Sequence, residues 1–476
     1  VLEDLTSNVT QLQDNEILTL NANTNYLQSF FRGRFDKEIF KKNVPVVTYD
    51  DPSNVISAQP ITGFVLSSGT SGGAQKMMPW NEKYLDSCMI FGCINVKNVE
   101  KGKAMMFYFT KLESITPSGL PARVASSSYL KSNYFKNRPS NWYYTYTSPD
   151  ELTLCPDNKQ NLYCHLLCGL VQRNEVTRMG SIFASVMKEL WSNIRSGQLS
   201  EWITDIVANT IEKICNQKCW KGIVTRLWPK AKYIETIVTG SMVQYVPTLN
   251  YYSNDMLPLI STIYASSETQ FGLNLNPMCK PEDVSYTFMP NVSYFEFIPV
   301  DGDKNNVVDL ADVKLGCSYE AVVTNFRIRV GDILVVTGFH NKAPQFRFIR
   351  RDNVVLSIDL DKTNEDDLFK AVNRGKLTLD SSDLMLAMLI SPLSRDKNKD
   401  KKSKKHIELK QETFSECCLL MEDSLDEVYK NCRFKEEWTF DSLMDFFISQ
   451  GASIGQYKTP RCIKSAKALE VIEKMW

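Results

Sequence analysis

Ser67-Ser68-Gly69-Thr70-Ser71-Gly72-Gly73-Ala74-Gln75-Lys76 follows directly on the apolar run Ile61-Thr62-Gly63-Phe64-Val65-Leu66. A strand-like segment thus ends in seven consecutive residues that are only Ser, Thr or Gly, with Lys76 three residues beyond them. Glycine has no Cβ to block a close approach, so such a loop can aim backbone N–H groups, small hydroxyls and one cation at an anion. A phosphate is its natural guest. By itself a Ser/Gly-rich stretch between two elements is most often only a turn. It is not a Walker A loop, because no Gly-Lys-Ser/Thr closes it. Gly69-Thr70-Ser71-Gly72-Gly73 also fits the Gly-x-Ser-x-Gly elbow of serine hydrolases, which would make Ser71 a nucleophile served by His340 or His406.

Composition narrows the field. The chain has 476 residues, 43% hydrophobic and 23% charged, with room for two or three domains and a large core. Lys+Arg and Asp+Glu balance at 55 each, so no net field draws the molecule to nucleic acid or to an anionic membrane. No apolar run approaches the ~20 residues that span a bilayer, and Val1-Leu2-Glu3-Asp4 lacks the features of a signal peptide. A cytosolic protein is expected. The 13 cysteines include no Cys-x-x-Cys, and only three histidines accompany them, which disfavours a Cys/His metal site. Cys164/Cys168 and Cys215/Cys219 are four apart, as on one helix face, and the thiols read as reduced and buried.

Working outward from the loop, residues 1–45 carry Leu5, Val9, Leu12, Leu27, Phe30, Phe31, Phe35, Ile39 and Phe40 at helical spacing. Met105–Phe109 reads as a buried strand. Residues 160–220 read as mainly helical, with Leu162, His165, Leu166 and Leu170 as one stripe in which His165 is a core histidine. Strands are expected at 233–240, 259–264, 294–298, 333–338 and 345–350. The alternation predicts an α/β protein with an antiparallel or barrel-like part toward its end. The texture changes past Ile358-Asp359-Leu360-Asp361-Lys362, where an amphipathic helix capped by Thr363 or Asn364 is expected and a domain boundary is placed near 355–362. Residues 395–405 are almost all Lys, Arg, Asp, Asn and Ser; without interleaved aromatics they read as a solvated loop rather than a nucleic-acid patch. There are no internal repeats.

Further motifs look like pieces of one site. Tyr264-Ala265-Ser266-Ser267-Glu268 ends a strand with two hydroxyls, which can bond phosphate, and a carboxylate, which can hold Mg²⁺. The competing reading makes Glu268 a helix N-terminal carboxylate. Thr239-Gly240-Ser241-Met242 ends another strand where a flat base can approach the backbone. Arg329-Val330-Gly331-Asp332 precedes a strand, and an aspartate there can accept both hydroxyls of a ribose, although a plain turn aspartate is commoner. Gly455-Gln456-Tyr457-Lys458-Thr459-Pro460-Arg461 puts a lysine in a proline-marked loop.

The order of these pieces is that of adenylate-forming enzymes such as acyl-CoA synthetases and luciferases. The chain most resembles the plant acyl acid–amido synthetases of the Gretchen Hagen family. The likeness runs over nearly its whole length, through SSGTSGGAQKMMPWN, TPSGLPARVASS, NRPSNWYY, TGSM, YASSETQFG, RVGD and QYKTPRCIK. It looks closest to the branch acting on benzoate- or chorismate-type acids. The resemblance implies a large N-terminal adenylation domain, 1–358, with β-sheets or a β-barrel flanked by helices. A smaller mobile α/β lid domain, 359–476, is implied to follow. It also implies use of ATP and Mg²⁺, a small carboxylic acid and an amino acid as partners, and a monomer. Carried over residue by residue, Ser67, Ser68 and Thr70 would hold phosphate, while Ser267 and Glu268 would belong to the nucleotide and Mg²⁺ site. Met242 and Tyr264 would line the acyl and adenine region, and Asp332 would take the ribose. Lys362 would sit at the hinge and touch nucleotide, and Lys458 would be delivered by the C-terminal domain.

Two departures from the family pattern stand out. Family members carry extra residues, including a Gly-Leu-Tyr-Arg run, before the segment matching Arg327-Ile328-Arg329-Val330-Gly331-Asp332, whereas Asn325-Phe326 joins it directly here. Similar abrupt joins occur near Asp51-Pro52, Val186-Met187-Lys188 and Ala387–Ser394. The helix after Asn81 in benzoate-type relatives carries an arginine for the acid's carboxylate, but residues 81–96 contain none; Arg123 is the candidate substitute. The resemblance gives Ser-Ser-Glu, Gly-Asp and Lys458 roles that the hydrolase reading leaves empty. A non-catalytic small-acid-binding protein is the third reading, and it leaves the same residues unused.

Overall fold

The apolar runs that flank the Ser/Gly loop become paired strands of one sheet, Gly63–Leu66 against Met77–Trp80. The computed structural model describes residues 2–31, 35–47, 58–67, 76–81, 102–137, 144–184, 186–187, 205–217, 219–302, 306–324, 328–351, 354–358 and 361–364, with the single positions 374 and 449. The described residues up to Ile349 form one compact unit, and those from Arg350 onward belong to a second. Among the described residues no helix is long and apolar enough to cross a membrane.

The described residues of the first unit form three sheets. Gly63–Leu66 pairs antiparallel with Met77–Trp80 and parallel with Pro121–Val124, giving a four-stranded sheet with Ser114–Ile115 at its edge. A second, five-stranded sheet runs Tyr144–Tyr146, Gly102–Phe107, Val176–Phe183, Tyr233–Ile237, Leu259–Ile260 and is parallel throughout. Parallel strands buried on both faces are near-continuous apolar runs, and Ala104, Met105, Met106 and Phe107 are all buried. The third sheet has eight strands in an antiparallel ladder from Ile263–Ala265 to Val308–Asp309, and it is the antiparallel part expected late in the chain. Its core is aromatic: Phe288 lies 4.4 Å from Phe346, 5.1 Å from Phe295 and 5.4 Å from Phe271, ring centre to ring centre. Such offset and tilted pairs add to the area they bury.

The expected helical run over residues 160–220 is interrupted. Asn158–Val171 is a helix, opened by Asp157, whose carboxylate accepts from the Gln160 N–H, and its stripe Leu162, His165, Leu166 and Leu170 is buried. Val176–Phe183, however, is the central strand of the parallel sheet. The run VTRMGSIF is buried except for the half-buried Arg178 and Ile182, as a strand covered on both faces is, and burial overrode the helical reading. The helix lies so close to the sheet that a Cβ on Gly169 would sit 2.0 Å from Met105 Sδ. The Gly169 carbonyl accepts a bond from Trp228 Nε1 at 2.9 Å.

His165 is the core histidine expected, 1% exposed, with Nδ1 2.7 Å from Ser148 Oγ. Burial drives its pKa down to about 4, against a bond to the Tyr108 backbone that raises it. The unfolded chain therefore takes up this proton near pH 6.5 and the folded protein only near 4. Its contribution to stability is complete above pH 6.5 and is lost as pH falls through that window. About 2 kcal/mol is expected to disappear between pH 7 and 5, read as a falling urea midpoint. His165→Gln should flatten that slope; an unchanged slope would remove His165 as its cause.

Other expectations need correction. The strand expected at 259–264 is two strands, Leu259–Ile260 in the parallel sheet and Ile263–Ala265 in the antiparallel one, so the chain changes sheets at Ser261-Thr262. Thr363 and Asn364 do not cap a helix: Asp361–Asn364 pairs antiparallel with Val354–Ile358, and the expected helix beyond lies outside the described residues. The seven described cysteines are free, but none is fully buried, and Cys219 and Cys317 are exposed. The N-terminal helices are as expected. Gln13 docks them on the antiparallel sheet, donating to the Pro290 and Ser293 carbonyls at 2.6 and 2.7 Å and accepting from the Phe295 N–H at 2.7 Å.

Candidate active site

The strand-to-loop junction forms as the sequence predicts. Ser67 and Lys76 close the base of the loop: the Ser67 N–H donates to the Lys76 carbonyl and the Lys76 N–H to Ser67 Oγ, both at 2.9 Å. Ser67 is thus fixed at the mouth of the loop. Ser68, Thr70 and Ser71 lie outside the described residues. Arg123 sits on the neighbouring strand opposite Val65, one residue before the partner of Leu66. Its Nε binds the Glu113 carboxylate, which Lys131 Nζ also approaches at 3.7 Å. The bond from Arg123 holds the Glu113 carboxyl below its ordinary range. The arginine suggested for an incoming acid is therefore engaged by the protein's own carboxylate.

Ile263–Ala265 and Gln270–Leu273 form a tight hairpin that carries Ser266, Ser267 and Glu268 at its tip. Ser266 N–H donates to the Thr269 carbonyl at 2.8 Å, and Glu268 N–H to Ser266 Oγ at 3.2 Å. Ser267 Oγ donates to Glu268 Oε2 at 3.0 Å. Glu268 is a buried hairpin carboxylate, 8% exposed, and not the helix N-terminal residue of the competing reading. Among the described residues no group of three metal-ligating side chains occurs. Mg²⁺ is commonly held by one or two carboxylates, with phosphates and waters completing its shell. The donor set at the hairpin tip fits such an ion.

The same hairpin reaches a distant motif. The Tyr264 hydroxyl donates to Asp332 Oδ2 across 68 residues of sequence, and its ring stacks on Phe271 at 4.5 Å and 18°. Asp332 does not precede a strand; it lies inside Ile328–His340 and is 2% exposed. Gly331, with φ +80°, turns the backbone immediately before it, a conformation that glycine tolerates best. Met242 lies in the 3₁₀ turn Gly240–Tyr245 beyond the Tyr233–Ile237 strand, and its side chain is buried. Gly240 has φ +59°, and a Cβ there would lie 3.3 Å from the Phe348 ring, so the glycine admits a protein ring at the place where a base was expected.

One connecting residue escaped the sequence reading. Tyr286 OH lies 2.8 Å from Ser261 Oγ and 3.5 Å from Thr239 Oγ, and its ring lies 5.5 Å from that of Tyr264. It joins the Thr239-Gly240 turn to the entry of the Tyr264 strand. Its signal was a lone tyrosine in an apolar strand, whose hydroxyl must find a partner when buried.

Tyr264, Ser267, Glu268 and Asp332 are thus assembled around one hairpin, with Met242 on the turn that Tyr286 ties to it. Lys362 stands opposite Ser357 in the Val354–Ile358/Asp361–Asn364 hairpin of the second unit, and Lys458 lies outside the described residues. Of the two candidate bases of the hydrolase reading, His340 lies 3.5 Å from Glu3 and His406 lies outside the described residues.

Hydroxyls and carboxylates gathered where the parallel sheet passes into the antiparallel one, at strand ends and a hairpin tip, are the arrangement of a ligand-binding α/β protein. Comparison with known proteins carries this further. The GH3 family N-terminal domain matches residues 1–259, its central domain 286–351 and its C-terminal domain 366–467. The chain is 61% identical to the 4-substituted benzoates-glutamate ligase GH3.12 of Arabidopsis thaliana, over 99% of this chain and 96% of that protein. It is 45% identical to the indole-3-acetic acid-amido synthetase GH3.17 of the same plant, over 99% and 94%. The solved structure of the GH3.15 acyl acid amido synthetase superposes with a TM-score of 0.82 at 42% identity, covering 99% of this chain and 95% of that one. The chain belongs to the GH3 family of plant acyl acid amido synthetases. It is an acid–amino-acid ligase that forms C–N bonds. The alignment with GH3.12 spans 552 positions against 476 residues here, so the relative carries segments that this chain lacks, as the abrupt joins suggest.

Proposed function

We propose that this ligase activates a benzoate-type acid, by an ATP- and Mg²⁺-dependent adenylation, and transfers the acyl group to the amine of an amino acid. Glutamate is the first candidate nucleophile, because the 61% identical relative is named a benzoates-glutamate ligase; cysteine is the second, and chorismate-type acids remain within the substrate class. The observation that carries the reading is the Tyr264–Asp332 bond, which joins YASSETQFG and RVGD at one place.

In the first step a carboxylate oxygen attacks the α-phosphorus of ATP, the bond to the β-phosphate breaks, and pyrophosphate leaves. In the second, the free amine of the amino acid attacks the acyl carbon, AMP departs with the C–O electron pair, and the ammonium proton is lost to solvent. Acid and triphosphate repel each other, so positive charge must offset them where the new bond forms. Mg²⁺ held by Glu268 would supply Lewis-acid neutralisation of the phosphates. Ser67, Ser68 and Thr70 hold phosphate, with Ser67 fixed by its exchange with Lys76. Ser267 orients the Glu268 carboxylate. Asp332 accepts from the ribose while the Tyr264 hydroxyl fixes one of its oxygens, and Met242 with Tyr264 lines the acyl and adenine side. The division into an adenylation domain, 1–358, and a mobile lid, 359–476, lets Lys362 act as hinge and Lys458 arrive for adenylation and withdraw for amide formation. The enzyme acts as a cytoplasmic monomer. Arg123 reaches the acid's carboxylate only by exchanging Glu113 for it.

The test is pyrophosphate release across 4-substituted benzoates, chorismate, indole-3-acetate and jasmonate, each with and without glutamate or cysteine. A 4-substituted benzoate with glutamate is expected to show the highest kcat/KM. Equal or better use of indole-3-acetate would contradict the assigned branch.

A further inference from the structure

We propose that the Glu320–Arg329 ion pair is a positioning device for Asp332. It spans the bulge that presents this carboxylate to the nucleotide ribose. The inference rests on the ribose role of Asp332.

Ser318–Val323 and Ile328–His340 pair regularly except at one place. Val322 stands opposite Arg329, while Glu320 stands opposite Ile333. One residue on one strand thus faces three on the other: Val330, Gly331 and Asp332 crowd into the space opposite Ala321. Gly331 adopts φ +80° within this bulge. The consequence shows in burial: Asp332, Ile333 and Leu334 are 2%, 3% and 0% exposed. A regular strand would turn every second side chain to the opposite face. The bulge is what points Asp332 inward beside Tyr264, and bulges of this kind re-aim side chains next to active sites.

A bulge leaves ladder groups unpaired, so something must hold its ends together. Arg329 enters it and Glu320 faces its exit. Arg329 Nε lies 3.0 and 3.1 Å from the two Glu320 oxygens, and Nη2 binds Oε2 as well. This forked, charge-assisted contact fixes direction as well as distance. Glu320 is 5% exposed, so removing Arg329 would leave its side chain buried without this partner; the Arg329 N–H in turn donates to the Val47 carbonyl at 2.9 Å. Neither side chain touches the reacting atoms in this reading. They act through Asp332.

The test compares ATP with 2′-deoxy-ATP and 3′-deoxy-ATP in steady-state kinetics of the full chain. Wild type, Glu320→Gln, Arg329→Lys and Asp332→Ala are measured, with a melting temperature for each. Arg329→Lys keeps the charge that balances Glu320 and loses only the fork, so it guards against a Glu320→Gln variant that fails to fold. Wild type is expected to prefer ATP over both analogues. Both pair variants should lose at least about threefold of that preference, through KM rather than kcat, because a misaimed Asp332 no longer distinguishes a hydroxyl from a hydrogen. A merely structural role would lower the melting temperature and leave the preference intact. Retained preference in the pair variants, with loss in Asp332→Ala, would overturn the positioning role and leave the ribose reading standing. Retained preference in Asp332→Ala would overturn both.

Discussion

Glu268→Ala is expected to lower acid-dependent pyrophosphate exchange by about 10³-fold, because it removes the carboxylate proposed to hold Mg²⁺ where negative charge accumulates. The location makes the effect specific. Glu268 sits at a hairpin tip, its backbone N–H on Ser266 Oγ and its side chain accepting from Ser267. The hairpin itself is held by strand pairing from Ile263 to Leu273 and by Thr269, whose hydroxyl lies 2.7 Å from Ser293 Oγ. None of these contacts except that from Ser267 needs the carboxylate, so folding should survive. Melting temperature and ATP affinity without metal serve as controls, and raising Mg²⁺ should recover little of the rate. Activity within threefold of wild type would remove Glu268 from the site.

Asp332→Ala is expected to raise KM for ATP roughly 30- to 900-fold. The carboxylate would accept both ribose hydroxyls; a hydrogen bond to a charged group contributes about 1.5–3 kcal/mol net, and the two, sharing one carboxylate, are taken together as about 2–4 kcal/mol. The buried Tyr264 hydroxyl would also lose its partner. Asp332→Asn separates the two contributions, since the amide can still pair with Tyr264 but carries no charge. It should fall between wild type and Asp332→Ala in KM while holding the wild-type melting temperature. Nucleotide affinity unchanged in both variants would contradict the ribose role.

How much of this was legible beforehand depended on the reach of each interaction. The Gly63–Leu66 strand and its loop were readable because β-period, glycine chemistry and a terminal lysine are local. The aromatic antiparallel sheet was readable from its strands but not from its pairing. Phe288 and Phe346 meet although they are 58 positions apart in the sequence, and no local rule encodes that partner. Val176–Phe183 was missed because a short apolar run between helices has no period that distinguishes strand from helix. Asp332 was found as a motif, yet the bulge that aims it depends on Glu320, which stands alone in another strand. Gly331 was the only local trace. Tyr286 and Thr239 likewise meet only after the chain changes sheets at Ser261-Thr262. The engagement of Arg123 by Glu113 was not legible either, because it needs the Ser114–Ile115 edge strand folded back on Pro121–Val124.

The most direct measurement of the central claim is isotope exchange between labelled pyrophosphate and ATP, with wild-type enzyme, Mg²⁺ and a 4-substituted benzoate but no amino acid. Adenylation on the acid's carboxylate predicts exchange that requires the benzoate and stops when Mg²⁺ is chelated. Exchange independent of the acid, or absent until glutamate is added, would contradict it.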